Sequence, residues 1–215
     1  MKWNRLRRRA VQHHLPLFIV SLALAAGLYF QLDSDDVRWR LSMSTGYVGL
    51  ALVGRSLLLG PLHVLRERPN PVSFDLRRDV GIWAGILSLA HVVVGLQVHL
   101  RGQMWAYFVN SDLVFPYVRT NLFGAANYTG LAATGVLIML LALSNDLTLR
   151  RLGTVQWKKL QRWNYAGFGL VLVHGIAYQL VENRSLPYVM IFATLVLLVL
   201  VLQGAGLWHR GREGR

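Results

Sequence analysis

Two histidines, His91 and His174, each sit in an apolar run with no other ionisable residue close by. An imidazole ring in hydrocarbon is costly, so by default it marks a functional position. Two of them at matched depth in neighbouring helices could face each other and hold a metal between them, and the metal this pattern suggests is a haem iron. The alternative is that each ring hydrogen-bonds a neighbouring helix and does nothing more.

The elements that must carry these rings follow from composition. Hydrophobic residues make up 54% of the 215 and charged residues only 15%, which places the chain among integral membrane proteins. Six runs approach the roughly 20 residues that a bilayer crossing takes: 15–30, 41–59, 79–100, 121–143, 163–181 and 187–207. The expectation is an all-α, six-transmembrane-helix bundle forming a single domain over 1–215, with short basic tails at 1–12 and 208–215. The first run is read as a retained span rather than a cleaved signal, because no clear cleavage site precedes Gln31, Tyr29-Phe30 falls where an aromatic belt belongs and six spans make a better closed bundle.

A formal net charge of +13 would suit nucleic acid if it were spread evenly, but it is not. Segments 1–12, 66–78, 150–162 and 210–215 hold all but six of the 23 Lys and Arg. Arg38, Arg40, Arg101, Arg119 and Arg184 lie on the other side of the predicted spans, and Arg55 lies within one. This is the positive-inside distribution, with both termini cytoplasmic. The charge therefore faces lipid headgroups, and nucleic acid is excluded as a partner. Around Arg66-Glu67-Arg68-Pro69-Asn70-Pro71 the prolines read as a turn-rich connection.

Absences narrow the chemistry. There are no cysteines, which excludes disulfides, thiolate-held iron–sulfur clusters and covalent c-type haem attachment. No loop exceeds roughly twenty residues and no Gly-rich phosphate-binding turn follows a strand. The chain has no room for its own flavin or nicotinamide domain, so electrons would have to come from another molecule.

Depth supports the pairing. At about 1.5 Å per residue, His91 lies about 18 Å into the third predicted span and His174 about 16 Å into the fifth, both counted from the same side. Gly95, Gly167 and Gly175 lie near the two rings and are read as space for a flat macrocycle and for close helix approach.

These residues also carry a family resemblance. Thr45-Gly46, Gly60-Pro61-Leu62, Arg77-Arg78 with His91 thirteen residues after the second arginine, Leu141-Ala142-Leu143-Ser144, Arg150-Arg151-Leu152-Gly153, Trp157-Lys158-Lys159-Leu160 and His174 resemble the ferric-reductase-like transmembrane domain family. The likeness is greatest to the haem-binding subunits of the bacterial periplasmic methionine-sulfoxide reductase system. It covers most of the chain and implies a b-type cytochrome of the bacterial inner membrane. Such a protein takes electrons from a quinol or a flavoprotein and passes them to a periplasmic or complex-bound acceptor, with no catalytic substrate site of its own. The positions of His91 and His174 are then axial haem ligands. The chain departs from the pattern at Gln161, where the family has a histidine. An amide is a poor iron ligand beside imidazole, so one haem b is expected and the place of a second is compromised.

Other residues enter as lesser candidates. Arg55 could meet a haem propionate or a quinone carbonyl, or snorkel to headgroups, and a quinone-oxidising module is one reading that uses it. His99, eight residues after His91, is expected at the membrane boundary as an interfacial residue or a further ligand. His63, at the end of the second span, is a weaker ligand candidate. Trp83, Trp157, Trp163, Tyr165, Tyr107, Tyr117 and Trp208 read as interfacial anchors. The loop 101–120 carries Met104, Trp105, Phe108, Val114 and Phe115 among others. It reads as a stretch on the membrane surface or as a docking face for a redox partner. A reading of a different class is an accessory subunit of a larger membrane electron-transfer complex, with haem retained or lost.

Overall fold

In the computed structural model, which describes residues 2–66, 74–110 and 117–213, almost everything is helix. α1 (Lys2–Arg9) runs through a π-helical turn (Ala10–His14) into α2 (Leu15–Gln31), which Pro16 opens. α3 (Val37–Leu65) follows, capped by Asp36, whose Oδ1 accepts the backbone N–H of Arg38 at 2.8 Å and of Trp39 at 3.2 Å. Then come α4 (Phe74–Gly95), α5 (Leu122–Leu143), α6 (Asp146–Gln161), α7 (Trp163–Val181) and α8 (Leu186–Glu213). Asn121 and Asn145 cap α5 and α6 through their side-chain oxygens.

Five segments are long and apolar enough to cross a membrane: Leu6–Gln31, Val37–Leu65, Asp75–Gly95, Leu122–Leu143 and Leu186–Arg212. The protein is a multi-pass membrane protein. The sixth expected span, α7, is 19 residues long but is not one of these, because Asn164, His174, Tyr178 and Gln179 dilute its apolar content.

Several boundaries differ from the sequence reading. Both basic tails are largely helical, α1 continuing into the first span and α8 running through to Glu213. The connection 144–162, expected as a loop, contains α6, a helix with no buried residue that breaks at Gly153 (φ +70°). The stretch 79–100, expected as one span, is offset: the helix starts at Phe74 and ends at Gly95. The Tyr107 hydroxyl causes the early end. It donates to Gly95 O at 2.9 Å and accepts the His99 N–H at 2.6 Å, so the chain turns instead of continuing. The turn predicted at 66–71 lies, from Glu67 onward, outside the described residues.

α3 is the spine. It packs along α4, α8 and α2, while α5 and α7 pack chiefly on each other and touch the α3–α4 group more thinly. Val48, Val53 and Leu57 from α3 meet Val80 and Ala84 from α4, Leu137 from α5, Phe168 from α7 and Val199 from α8 in the shared core. The outer faces are apolar too: Val173, Ile176, Leu180, Leu197 and Val201 are each more than half exposed. Exposed aliphatic surface of this extent suits hydrocarbon rather than water.

The polar side chains gather in two layers at opposite ends of the bundle. In one layer, the fully buried Asp79 on α4 accepts from His13 Nδ1 (2.7 Å) and from both Nε and Nη2 of Arg9, with His14 Nε2 at 3.3 Å. Arg78 reaches across to Asp146 at the start of α6. The other layer holds Trp39, His99, Glu182 and Arg184.

Candidate metal centre

His91 on α4 and His174 on α7 meet inside the bundle, their ring centroids 6.2 Å apart and their planes at 78°. Each ring is fixed from behind by a main-chain carbonyl of another helix. His91 Nδ1 lies 2.9 Å from Ser42 O on α3, with Ser42 Oγ at 3.3 Å, and His174 Nδ1 lies 2.8 Å from Ala126 O on α5. A carbonyl oxygen can only accept, so Nδ1 must carry the proton on each ring. A neutral imidazole then leaves its lone pair on Nε2. Among the described residues, neither Nε2 has a hydrogen-bond partner. Orientation of an imidazole by a carbonyl at one nitrogen, leaving the other free, is the usual outer-shell arrangement of a metal-binding histidine.

Two glycines let the rings come this close. A Cβ at Gly46 on α3 would stand 2.9 Å from His91 Nδ1, and one at Gly130 on α5 would stand 2.7 Å from His174 Nδ1. The glycines expected to make this space serve differently. Gly167 gives room to Val136 and Gly175 to Phe192 at helix contacts, and only at Gly95 would an added Cβ approach a ring, 3.8 Å from His91 Cε1 and 3.2 Å from Ser42 Oγ.

The two rings line a cavity of about 190 Å³. Its walls are largely apolar, with Leu50, Val53, Leu137, Val171 and Phe192, and its polar end is formed by Trp39, His99, Tyr107, Glu182 and Arg184. Among the described residues no group of three or more His, Cys, Asp or Glu could hold a metal ion. Two imidazoles are too few for a structural or catalytic zinc, which takes at least three protein ligands. They are what an iron already held by four porphyrin nitrogens still lacks. His91 and His174 would hold such an iron, each through its Nε2. The residues present fit a haem.

At the polar end of the cavity Glu182, which caps α7, is a hub. It accepts from His99 Nε2 at 2.8 Å, from Arg184 Nη2 at 2.7 Å and from Trp39 Nε1 at 3.2 Å. Burial alone would raise its pKa. The His99 hydrogen bond, the Arg184 charge and the Trp39 donor outweigh burial and hold the carboxyl below the usual carboxylate range. Tyr107, expected as an interfacial anchor, is 1% exposed and packs beneath this hub, because its hydroxyl ties off the end of α4. A chain of rings joins hub to centre: His174 to Tyr178 (4.9 Å between centroids), Tyr178 to Phe123 (6.2 Å) and Phe123 to His99 (6.0 Å).

The remaining candidates lie elsewhere. Arg55 is exposed on α3, and neither it nor Gln161 lines the cavity. His99 lines it, from the turn after α4 rather than from the helix. His63 is near the far end of α3, outside the cavity. His13 and His14 are taken by Asp79, and Trp83 donates to His14 Nδ1 at 3.3 Å. Of the loop 101–120, Trp105, Tyr117 and Val118 stand exposed beside a two-residue strand pair, Val109–Asn110 with Tyr117–Val118. Val114 and Phe115 lie outside the described residues.

Sequence reasoning passed over Glu182, Ser42, Ala126 and Gly130. Glu182 alone left a signal, as the only acidic residue between the last two apolar runs.

No family model matches this chain, and neither does any solved structure.

Proposed function

We propose that this protein is a b-type cytochrome of the bacterial inner membrane, with one haem held between His91 and His174. The observation that carries this reading is the pair of imidazoles 6.2 Å apart, each with Nδ1 on a carbonyl and Nε2 free.

A haem bound there would supply a one-electron iron couple. The chain supplies the rest. Ser42 O and Ala126 O fix the tautomer and orientation of the two ligands and raise their basicity. Gly46 and Gly130 leave the rings room, and the apolar wall keeps water away. The protein acts on no substrate of its own. Electrons come from a quinol or a flavoprotein and leave to a periplasmic redox partner or a larger membrane complex.

The topology belongs to this reading, with α7 as a sixth crossing. Its first residue follows α6, in the layer of Asp79 and Asp146, and its last precedes Glu182, in the layer of Trp39 and His99. Nineteen residues span about 28 Å, close to the hydrocarbon thickness. With that crossing, α6, the N-terminal arginines and the end of α8 share one face, which the positive-inside rule makes cytoplasmic.

Purified protein tests the assignment. A Soret band with a sharp dithionite-reduced α band is expected, and His91→Ala and His174→Ala should each abolish or strongly alter it. A colourless preparation loaded with excess haemin, or unchanged spectra in both variants, would overturn the reading.

A further inference from the structure

We infer that the His99–Glu182 pair is a proton acceptor coupled to the metal centre, so that reduction of the centre draws protons onto the pair at the outer end of the cavity. The inference rests on the cytochrome reading and deepens it.

The pair and the two ligand rings line one cavity. His99 donates Nε2–H to Glu182 Oε1 at 2.8 Å while keeping its side chain one-third exposed, so one end of the pair faces the hub and the other has access to water. Glu182 itself is 15% exposed. The groups that face the pair come from every neighbouring element: Trp39 and Tyr47 from α3, Tyr107 from the turn after α4, Tyr178 from α7, and Arg184 from the turn before α8, with Tyr188 of α8 packed on Trp39. Arg184 is the one permanent cation among them. It shares the Glu182 carboxylate with His99, one on each oxygen.

Distance sets the coupling. Glu182 follows His174 by eight residues along α7, an axial separation of about 12 Å. At that range, with an effective dielectric constant near 20, one unit of charge changes proton affinity by about tenfold. Reduction of the centre adds one negative charge, so the pair binds its proton about tenfold more tightly. The balance is one electron from the quinol or flavin donor and, at the pH where coupling peaks, about half a proton from outer-face water, and oxidation releases both. No bond to carbon is made or broken.

A spectroelectrochemical titration of the full-length haem-loaded protein, run from acid to alkaline of neutrality, reads this directly. In wild type the midpoint potential should fall by about 59 mV in total as pH rises, the tenfold affinity change expressed for a one-electron couple. Glu182→Gln and His99→Gln should each lose most of that fall, while Glu182→Asp should keep it. A wild-type potential independent of pH would overturn the inference, as would a fall of unchanged size in both Gln variants, which would assign the proton to the haem propionates. A wild-type preparation without a Soret band would instead remove the cytochrome reading, and this inference with it.

Discussion

The carbonyls behind the rings make the arrangement specific. A histidine in an apolar helix is visible in the sequence because its type is out of place there. Its hydrogen-bond partner is not visible, because every residue has a carbonyl and only packing decides which one is used. His91 and His174 were legible for that reason, while Ser42 and Ala126 were not. The glycines show the same limit: twenty are present, and it is on the facing helices, at Gly46 and Gly130, that an added Cβ would come within 3 Å of the rings. Gly130→Ala should therefore lower the haem-to-protein absorbance ratio severalfold without changing far-ultraviolet circular dichroism, since its Cβ must displace His174 or its backbone support. Glu182 offers a pH test that is independent of haem. Its folded pKa lies below the unfolded value, so its stabilising contribution is complete above about pH 4.3 and is lost as pH falls through the folded pKa. Thermal scans in detergent should show wild type more stable than Glu182→Gln near neutrality, the gap closing in acid.

At the scale of elements, apolar run length gave five helices with modest errors at their ends. The errors have causes. Sequence periodicity does not announce that a tyrosine twelve residues downstream will take the carbonyl of Gly95 and stop α4. α6 was missed because its basic and apolar residues alternate around Gly153 with nothing to bury. α7 is the informative case, since the polar residues that weaken its apolar character, His174 among them, are those that build the site. Its crossing can be tested cleanly because the chain has no cysteine. Ser185→Cys, just past Glu182, should react with a membrane-impermeant maleimide on intact spheroplasts. Gln156→Cys, on α6, should react only after permeabilisation. Equal labelling of both would mean that α7 does not cross.

For the whole molecule, the two polar layers do different work. Around Asp79 the contacts tie α1 to α4 through a nearly buried ionic hydrogen bond, and Arg78 ties α4 to the half-exposed Asp146 of α6. Removing Arg9 leaves Asp79 to His13 and His14, so Arg9→Ala should cost about 2 kcal/mol in unfolding free energy, read from thermal or denaturant unfolding, and Asp79→Asn should cost less in the Arg9→Ala background than alone. The clustering of arginines and lysines toward this layer was legible in the sequence. That Asp79 sits at its centre was not, because an aspartate at the start of a helix is ordinary.

His91 stands on α4 and His174 on α7, and these belong to two helix groups that touch each other thinly. Coordination would therefore be the tightest fastening across a seam that side-chain contacts close only loosely. Newly made chains in cells starved of pigment should gape along it, uncovering the His91 and His174 rings to quality control. Pulse-chase labelling with and without haem synthesis should then show a markedly shorter half-life for the unfilled form, making maturation of this protein a matter of closure rather than of insertion.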